Sequence, residues 1–329
     1  MSVELPGKAM ITGASGFIGG RLRDTLAAGG TEVVALRRRG SLPSPNSRTV
    51  EVDYADKNML TRVLTDERPD YLFHVAGATK GRTYIDFREA NVTPTANLYH
   101  AAKEGCPNLK RFVLTSSLAA FGPSDRHWRH NGETQPRPIE YYGQSKLEAE
   151  RALTNDLALP WTIVRPGGVY GPGDVDYFTL FKSIHRGLNV FFGNRERLFS
   201  AVFVDDFIRA LIQSAQSPNS VGKGYFICDG SPVSWEAFQR RIVEVSGKRV
   251  RELDLPETLV YLSAWGGELL TRFDGKPRLF NRQKARMGAQ SAWTCDHGEA
   301  RKDFGYTPRV MMPEGVERTY VWYQSQGWL

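Results

Sequence analysis

The sequence predicts an α/β fold, with a doubly wound parallel sheet and a smaller C-terminal α+β part. Three observations support this prediction. Short runs rich in β-branched residues alternate with helical patterns in the first half, a glycine-rich turn follows the first run, and the alternation stops near residue 172. Strand and helix in repetition favour a parallel sheet with helices on both faces.

The individual elements follow from hydrophobic periodicity. Residues 201–215 are predicted as a strand and a helix that return to the first part, and 234–247 as an amphipathic helix. Further helices are predicted at 18–28, 57–66, 86–105 and 141–157. Buried strands are predicted at 8–12, 32–36, 49–53, 71–75, 111–115 and 161–165.

The composition is that of a soluble globular protein. The chain has 329 residues, of which 41% are apolar and 24% charged, enough for one large or two modest domains. The formal net charge is +7, but the basic residues are scattered and carry no nucleic-acid-binding signature, so no nucleic-acid partner is expected. The three cysteines lie far apart, which favours reduced thiols and a cytoplasmic location. The six histidines show no ligand spacing, so no metal site is predicted.

The segment "MITGASGFIGG" carries a Gly-x-x-Gly-x-x-Gly spacing at Gly13, Gly16 and Gly19. The first glycine permits the tight turn, the second lets backbone approach a pyrophosphate, and the third lets helix and strand pack closely. Glycine-rich turns also occur without a ligand, but this one has the preceding strand and following helix that a dinucleotide site requires. We therefore predict a Rossmann dinucleotide-binding domain.

The predicted domain division follows from this site and from the change of pattern near residue 172. Residues 1–171 and 201–221 are assigned to the dinucleotide-binding domain, and residues 172–200 and 222–329 to a substrate-binding domain. A cleft between two such parts is a usual place for a small-molecule site.

The end of the second strand bears on which dinucleotide binds. An acid there would bind a ribose 2′-hydroxyl and favour NAD. Arg37 stands at that position, with Arg38 and Ser41 close by. Guanidinium groups suit a 2′-phosphate, so NADP(H) is favoured; NAD(H) is the alternative if the arginines form only a solvated basic turn. Asp53, which ends the third strand, either accepts from the adenine amino group or is an ordinary strand-end acid.

Taken together, the motifs resemble the extended short-chain dehydrogenase/reductase superfamily, that is, the NAD-dependent epimerase/dehydratase family, over nearly the whole chain. The C-terminal pattern and "RPGGVYGPG" are most similar to its 3β-hydroxysteroid dehydrogenase-like branch. The motifs are "TGASGFIGG", "VDYAD", "HVAGAT", "NVTPTANLYHAA", "LTSSLAAFG", "YYGQSK", "RPGGVYGPGD" and "FVDDFIRA".

The resemblance implies roles for individual residues. The catalytic Tyr-x-x-x-Lys of the family matches Tyr142 and Lys146, and its catalytic serine matches Ser117. A homodimer through helices of the first domain is also implied. Besides Tyr142 and Lys146, the expected cofactor-binding residues are Gly13, Ser15, Gly16, Phe17, Ile18, Gly19, Arg37, Arg38, Asp53, Tyr54, Val75, Ala76, Gly77, Asn91, Pro166, Gly168 and Val169.

The implied residues fit an acid–base role. Positions four apart share a helix face, so Tyr142 and Lys146 can point into one cleft. A tyrosine acting as a base near neutrality needs its pKa lowered by roughly three units, about 4 kcal/mol. The Lys146 ammonium and the positive nicotinamide of an oxidised cofactor are expected to supply this stabilisation. Ser117 is expected to hydrogen-bond the substrate oxygen as charge develops there.

The substrate is less well defined by the sequence. Sugar-nucleotide epimerases of the family often have a phosphate-binding arginine five residues before the "V-x-D" pair, where this chain has Phe199, with Arg195 and Arg197 nearby. In residues 256–273, Leu262, Trp265, Leu269 and Phe273 follow helical spacing. This apolar face is interpreted either as core or dimer packing, or as a lid over a greasy substrate that rests on a membrane surface.

Three functions are weighed. The first is an NAD(P)-dependent oxidoreductase acting on a hydroxyl or ketone of a largely apolar sterol-, terpenoid- or acyl-derived small molecule. The second is a sugar-nucleotide epimerase or dehydratase that retains NAD tightly. The third is a regulatory protein that senses the cofactor without turnover, and the intact set of Ser117, Tyr142 and Lys146 argues against it.

Overall fold

A computed structural model describes residues 4–41, 45, 47–259 and 282–329. The α-helices of the first three quarters of the chain are Phe17–Ala28 (α1), Lys57–Glu67 (α2), Tyr84–Phe87 (α3), Thr93–Gly105 (α4), Tyr141–Thr154 (α5), Phe178–His185 (α6), Val204–Gln216 (α7) and Trp235–Ser246 (α8), and helices Arg282–Gly288, Gly298–Phe304 and Met312–Ser325 follow. The strands are Lys8–Thr12 (β1), Glu32–Arg38 (β2), Arg48–Val52 (β3), Tyr71–His74 (β4), Arg111–Thr115 (β5), Trp161–Pro166 (β6), Gly168–Tyr170 (β7), Leu188–Phe192 (β8), Leu198–Phe199 (β9), Ala201–Phe203 (β10), Lys223–Ile227 (β11), Val233–Ser234 (β12), Arg251–Leu255 (β13) and Ala292–Trp293 (β14).

The main layer is a seven-stranded sheet with the order β11-β6-β5-β4-β1-β2-β3. All six neighbouring pairs are parallel. The chain runs outward from β1 to β2 and β3, then returns to place β4 on the other side of β1. This reversal opens a crevice at the carboxyl ends of β1 and β4, the usual ligand site of such a sheet. The predicted doubly wound fold is confirmed.

Both faces of this sheet are covered by helices. On one face, Leu22 of α1 and Phe207 of α7 are fully buried in the same apolar cluster. On the other, Leu64 of α2, Leu98 of α4 and Leu153 of α5 are fully buried in a second cluster. Because each strand is covered on both sides, its residues are apolar without alternation.

One predicted domain boundary is wrong. The division assigned residues from 222 onward to the substrate-binding domain, yet Lys223–Ile227 is the edge strand of the main sheet and pairs with β6. The strand is short and follows a break in the strand–helix alternation, so its sequence gives little sign of sheet membership. The remaining short strands form three small sheets, β7 with β10, β8 with β13, and β9 between β12 and β14; the rest of the two-domain division stays a prediction.

The helix predicted at 86–105 is interrupted. Residues Arg88–Val92 form a π-helical turn, in which the Thr93 amide donates to the Arg88 carbonyl five residues earlier. Pro94 follows at the start of α4 and has no amide hydrogen to continue the regular ladder. The extra residue in this turn directs Asn91 into the protein, where its side chain is buried.

The apolar stretch predicted within 256–273 lies mostly beyond the described part of the chain, and Leu262, Trp265, Leu269 and Phe273 are all outside it. In the described part, no helix combines the length and apolar character needed to cross a bilayer.

Candidate active site

The glycine loop lies at the crevice between β1 and β4. Gly13 has a φ of +72°, and a Cβ there would lie 2.9 Å from the Ala76 backbone nitrogen. A Cβ on Gly19 would lie 2.2 Å from the Gly13 carbonyl oxygen. Only glycine fits at either position, so the loop brings the start of α1 close to the ends of β1 and β4.

The start of α1 is left without a side-chain cap. Gly16 is its N-cap residue, and the first turn contains no acidic residue. The amides of this turn, which include those of Phe17 and Ile18, therefore face the crevice beside Ser15 with the positive end of the helix dipole. This arrangement fits the pyrophosphate of a dinucleotide.

The basic turn after β2 is partly engaged with other groups of the protein. Arg37 forms an ion pair with Glu51 of β3 at 3.0 Å and donates to the Ser41 carbonyl. Arg38 is exposed, and its charge acts to lower the pKa of the Tyr54 phenol against the larger effect of burial. A 2′-phosphate would therefore meet a guanidinium that already has a carboxylate partner, which weakens the sequence argument for NADP without removing it.

The two residues after β3 point in different directions. The Asp53 carboxylate accepts from the Ala55 amide at 2.8 Å. Tyr54 is buried in the core, and its hydroxyl donates to the Leu36 carbonyl at 3.3 Å. Only the backbone of Tyr54 is thus left to contribute to an adenine site.

A buried chain of hydrogen bonds lies below the carboxyl ends of β1 and β4. Thr12 Oγ1 accepts from the Val75 and Ala76 amides at 3.1 and 3.0 Å, so its proton goes to His74 Nδ1 at 2.7 Å. His74 Nε2 then carries a proton and donates to Thr95 Oγ1 at 2.9 Å. Burial lowers the pKa of His74 to about 3, and the nearby Lys146 charge adds to the effect.

Asn91 joins this chain of bonds to the catalytic helix. Its carbonyl accepts from Thr95 Oγ1 at 2.6 Å, and its side-chain amide donates to Ser145 Oγ at 2.9 Å. Ser145 in turn donates to the Tyr142 carbonyl at 2.7 Å. Asn91 Oδ1 would lie 2.9 Å from a Cβ on Gly77, so Gly77 must be glycine for the loop to pass this side chain.

The structure brings Ser117 and Tyr142 together. Ser117 follows β5 and precedes the short 3₁₀ turn Leu118–Ala120, whose Ala119 amide donates to Ser117 Oγ at 3.1 Å. Burial raises the pKa of Tyr142 to about 12, while a hydrogen bond with Ser117 opposes the rise. The charge of Glu140 adds to the rise. The protein itself therefore holds Tyr142 as a neutral phenol.

Lys146 lies one helical turn beyond Tyr142 and is buried. Its Nζ donates to the Thr115 carbonyl at 2.6 Å. Burial lowers the pKa of Lys146 to about 8, and the carboxylate of Glu150 opposes this change. The expected lowering of the Tyr142 pKa by the Lys146 ammonium stays a prediction.

A buried carboxylate fixes the start of α5. Glu140 accepts from the Tyr142 and Gly143 amides at 2.7 and 2.6 Å. A Cβ on Gly143 would lie 2.2 Å from the Ala119 carbonyl oxygen. The cap and this glycine together hold α5 in close contact with the turn that carries Ser117.

A second buried carboxylate lies behind the site. Glu150 pairs with Arg165 at 2.8 Å and accepts from the Ser116 hydroxyl. The Arg165 guanidinium also lies over the ring of Phe121, 4.5 Å from its centre. Sequence analysis missed Glu140, Glu150 and His74; an acid immediately before a predicted helix was the one signal that could have indicated Glu140.

The segment after β6 borders the same crevice. Pro166 ends β6, and the Gly168 amide donates to the Ser200 carbonyl at 2.8 Å. A Cβ on Gly168 would lie 2.4 Å from the Tyr177 hydroxyl. Val169 is partly buried against the α1–α7 cluster and pairs with Val202. The cofactor roles predicted for Pro166, Gly168 and Val169 stay predictions.

Aromatic rings stand at the sequence position where sugar-nucleotide enzymes of the family often have an arginine. Phe199 is buried and stacks on Trp235, with ring centres 4.5 Å apart. Both nearby arginines are held by carboxylates: Arg195 contacts Asp254 at 2.5 Å, and Arg197 pairs with Glu257. In the parts of the chain that are described, no group of three His, Cys, Asp or Glu residues could hold a metal ion.

The comparison with protein-family models identifies the class. Residues 9–228 match the model described as the NAD dependent epimerase/dehydratase family. The chain belongs to this family.

Individual relatives refine this assignment. The chain is 27% identical to the ceramide reductase of Caulobacter vibrioides, with 100% of this chain and 98% of that protein covered. It is 26% identical to the 3-beta-hydroxysteroid dehydrogenase of Mycolicibacterium neoaurum, with 96% and 91% covered. A solved structure of MoeE5 in complex with UDP-glucose and NAD has a TM-score of 0.77 at 26% identity, with 97% and 99% covered. The similarity to the 3β-hydroxysteroid dehydrogenase branch is confirmed.

Proposed function

We propose that the protein is an NAD(P)-dependent oxidoreductase that transfers hydride between the nicotinamide and a hydroxyl or ketone of a largely apolar substrate. The observation that carries the substrate class is the stacked pair of Phe199 and Trp235. Phe199 stands at the sequence position where the sugar-nucleotide enzymes of the family often have a phosphate-binding arginine. The engagement of Arg195 and Arg197 by carboxylates leaves neither guanidinium uncompensated for a diphosphate.

The residues of the chain fit a dinucleotide. The pyrophosphate would lie on the uncapped start of α1, which Gly13, Gly16 and Gly19 keep open. Asp53 and the backbone of Tyr54 would hold the adenine, and Val75, Ala76 and Gly77 would border the nicotinamide ribose. When bound, the cofactor supplies or accepts the hydride.

Each catalytic side chain has a task that its surroundings support. Tyr142 is protonated because burial raises its pKa, so it carries the proton that the oxygen of a ketone would receive during reduction. Ser117 shares a hydrogen bond with this phenol and would hold the substrate oxygen. Lys146 is anchored by the Thr115 carbonyl, where it would bind ribose hydroxyls. In oxidation, the positive nicotinamide would provide stabilisation of the phenolate that the protein alone does not.

Two relatives support the apolar substrate class by their names: ceramide reductase and 3-beta-hydroxysteroid dehydrogenase act on lipid-like molecules. The second candidate function is a sugar-nucleotide epimerase or dehydratase. It is favoured by the similarity to MoeE5, whose structure contains UDP-glucose and NAD. The candidates differ in cofactor handling, because an epimerase restores its NAD within each cycle whereas a reductase exchanges its cofactor.

The first test identifies the cofactor. The purified protein is denatured, any released dinucleotide is identified by mass spectrometry, and the cofactor-free protein is titrated with NADP and NAD. We expect loosely held cofactor and a preference for NADP that Arg37→Asp reverses, while Arg39→Asp, a change in the adjacent exposed residue, has little effect. Stoichiometric NAD that stays bound through purification would favour the epimerase or dehydratase function and contradict the role given to Arg37.

The second test addresses the substrate. Oxidation of reduced cofactor is followed with 3-keto sterols, long-chain acyl-derived ketones and, as the competing class, UDP-glucose and its 4-epimer. Turnover of an apolar ketone with no interconversion of the UDP-sugars supports the proposal. Epimer interconversion without net cofactor oxidation would overturn it.

A further inference from the structure

Two cysteines lie side by side behind the reaction centre. Cys228 follows the last residue of β11, and Cys295 lies two residues after β14. Both are fully buried. Cys228 Sγ lies 3.3 Å from the Cys295 carbonyl oxygen, and the two thiols are hydrogen-bonding partners. The third cysteine, Cys106, is buried elsewhere, where its thiol donates to the Pro69 carbonyl. None of the functions proposed above uses these thiols.

A histidine completes the cluster. His297 Nδ1 lies 3.5 Å from Cys228 Sγ. The Cys295 thiol and His297 lower the pKa of Cys228 against the opposing effect of burial. The hydrogen bond with Cys228, together with burial and the Cys228 charge, raises the pKa of Cys295. Because the His297 imidazole contacts Cys228, a protonated His297 would stabilise a thiolate there, and Cys228 is assigned as the nucleophile of the pair.

We propose that Cys228 and Cys295 form a peroxide-oxidisable dithiol site whose disulfide alters the reaction centre. The Cys228 thiolate attacks one oxygen of hydrogen peroxide and breaks the O–O bond. The departing hydroxide takes a proton from the imidazolium of His297 and leaves as water. Cys295 then attacks the sulfenic sulfur, the S–O bond breaks, and a second water leaves with the Cys295 proton. Two thiols lose two electrons in total, and one peroxide becomes two waters.

The site is coupled to the reaction centre by direct contacts. Cys228 and Cys295 share an apolar cluster with Leu118, the residue after Ser117, and with Phe121. On the other side, the Cys295 amide donates to Ser200 Oγ at 3.0 Å, and the Ser200 carbonyl accepts from the Gly168 amide.

The backbone along this path is closely packed. A Cβ on Gly167 would lie 2.3 Å from the Ser200 carbonyl oxygen. Forming a bond of about 2.0 Å between the sulfurs must draw the two strand ends together. We therefore expect the movement to reach both Ser117 and Gly168.

The test counts thiols and locates the bond. The reduced full-length protein is exposed to hydrogen peroxide, quenched with iodoacetamide in denaturant, and analysed by peptide mass spectrometry. We expect loss of two of the three thiols, a Cys228–Cys295 cross-link that dithiothreitol reverses, and Cys106 still reduced. Consumption of Cys106 at the same rate, or no cross-link before the protein unfolds, would overturn the proposal.

Variants separate the two roles. Cys106→Ser should behave as the wild type. Cys295→Ser should stop at a Cys228 sulfenic acid that dimedone traps, and Cys228→Ser should leave Cys295 unreacted; labelling at Cys295 instead would contradict the assignment of the nucleophile.

The coupling to the reaction centre is measured separately and rests on the proposed function. The oxidised protein should turn over substrate about 10-fold to 100-fold more slowly than the reduced protein. Dithiothreitol should restore the rate. Peroxide should leave the turnover rate of the Cys295→Ser variant unchanged. A cross-link that forms without altering turnover or NADP affinity would overturn the coupling and leave the proposed function untouched.

Discussion

Helices α1 and α5 both begin at the crevice, but only the first turn of α5 is capped by an acidic side chain. The start of α1 has a glycine at the N-cap and no acidic side chain, so its amides are open to an external anion. The start of α5 is closed by the protein's own carboxylate, Glu140. The difference matches the proposed roles, in which α1 binds a phosphate group and α5 holds the Tyr142 phenol in place.

Replacing Tyr142 by Phe should have the largest effect, because it removes the phenol that we propose exchanges a proton with the substrate. We expect turnover to fall by roughly 100-fold to 10,000-fold, with dinucleotide affinity nearly unchanged since the helix cap remains. Steady-state rates and cofactor titration measure the two quantities. Tyr141→Phe, which alters the neighbouring ring, is the control and should keep its activity; equal losses in both variants would remove Tyr142 from its assigned role.

Replacing Gly16 by Asp would give α1 the kind of cap that α5 has. Gly16 has φ −84° and ψ 174°, and a Cβ there would lie 3.4 Å from the Gly13 carbonyl oxygen, so the backbone accepts the change. Calorimetry should show a gain of a few tenths of a kcal/mol in the stability of the cofactor-free protein. The added charge should repel the pyrophosphate and weaken dinucleotide binding about 10-fold more than the neutral cap of Gly16→Asn does. Equal affinities of the Asp and Asn variants would contradict an anion site at α1.

Replacing Glu140 by Gln weakens the cap of α5, whereas Gly16→Asp adds a cap to α1. The loss of charge weakens both amide bonds, and urea unfolding should show a loss of about 1–2 kcal/mol. Because the charge of Glu140 raises the pKa of Tyr142, the pH profile of alcohol oxidation should move to lower pH. Asp56→Asn, at the exposed cap of α2, should leave that profile unchanged. A profile that shifts in both variants would show that the effect is not local.

A further effect concerns the buried histidine that links the two regions. Folding lowers the pKa of His74 from 6.5 to about 3, so the unfolded chain binds a proton that the folded protein excludes. Stability should therefore fall as pH drops below 6.5, by up to about 1.4 kcal/mol for each pH unit. Buried Asp174 and Asp229 have raised pKa values and act in the opposite sense.

Those two contributions cancel when the wild type is compared with His74→Gln by urea unfolding at several pH values. The slope should be steeper in the wild type. Parallel slopes would mean that His74 is protonated in the folded state.

Much of α1 and its surroundings was predictable because the signals are local. The six strands that were predicted are present, and the glycine spacing identifies the turn that only glycine can form. Tyr142, Lys146 and Ser117 were assigned from the family motifs that they match, and their catalytic roles stay predictions. These features depend on neighbours within a few residues of each other.

The parts that were missed depend on partners far apart in the chain. Arg37 was interpreted as a residue that binds the 2′-phosphate, but it pairs with Glu51 on the adjacent strand. Arg195 is paired with Asp254, and Glu150 with Arg165. A single sequence does not show which charges will meet after folding, so the engagement of these arginines could not be anticipated.

The position of β11 has a consequence for how the chain folds during synthesis. Its partner β6 is made early, but Lys223–Ile227 reaches it only after β7–β10 and α7 have been added. Until then β6 presents an open strand edge, which can pair with another chain. Nascent or truncated chains that end between Pro166 and Lys223 should thus be the most prone to aggregate, and arrival of β11 closes that edge from within the same molecule.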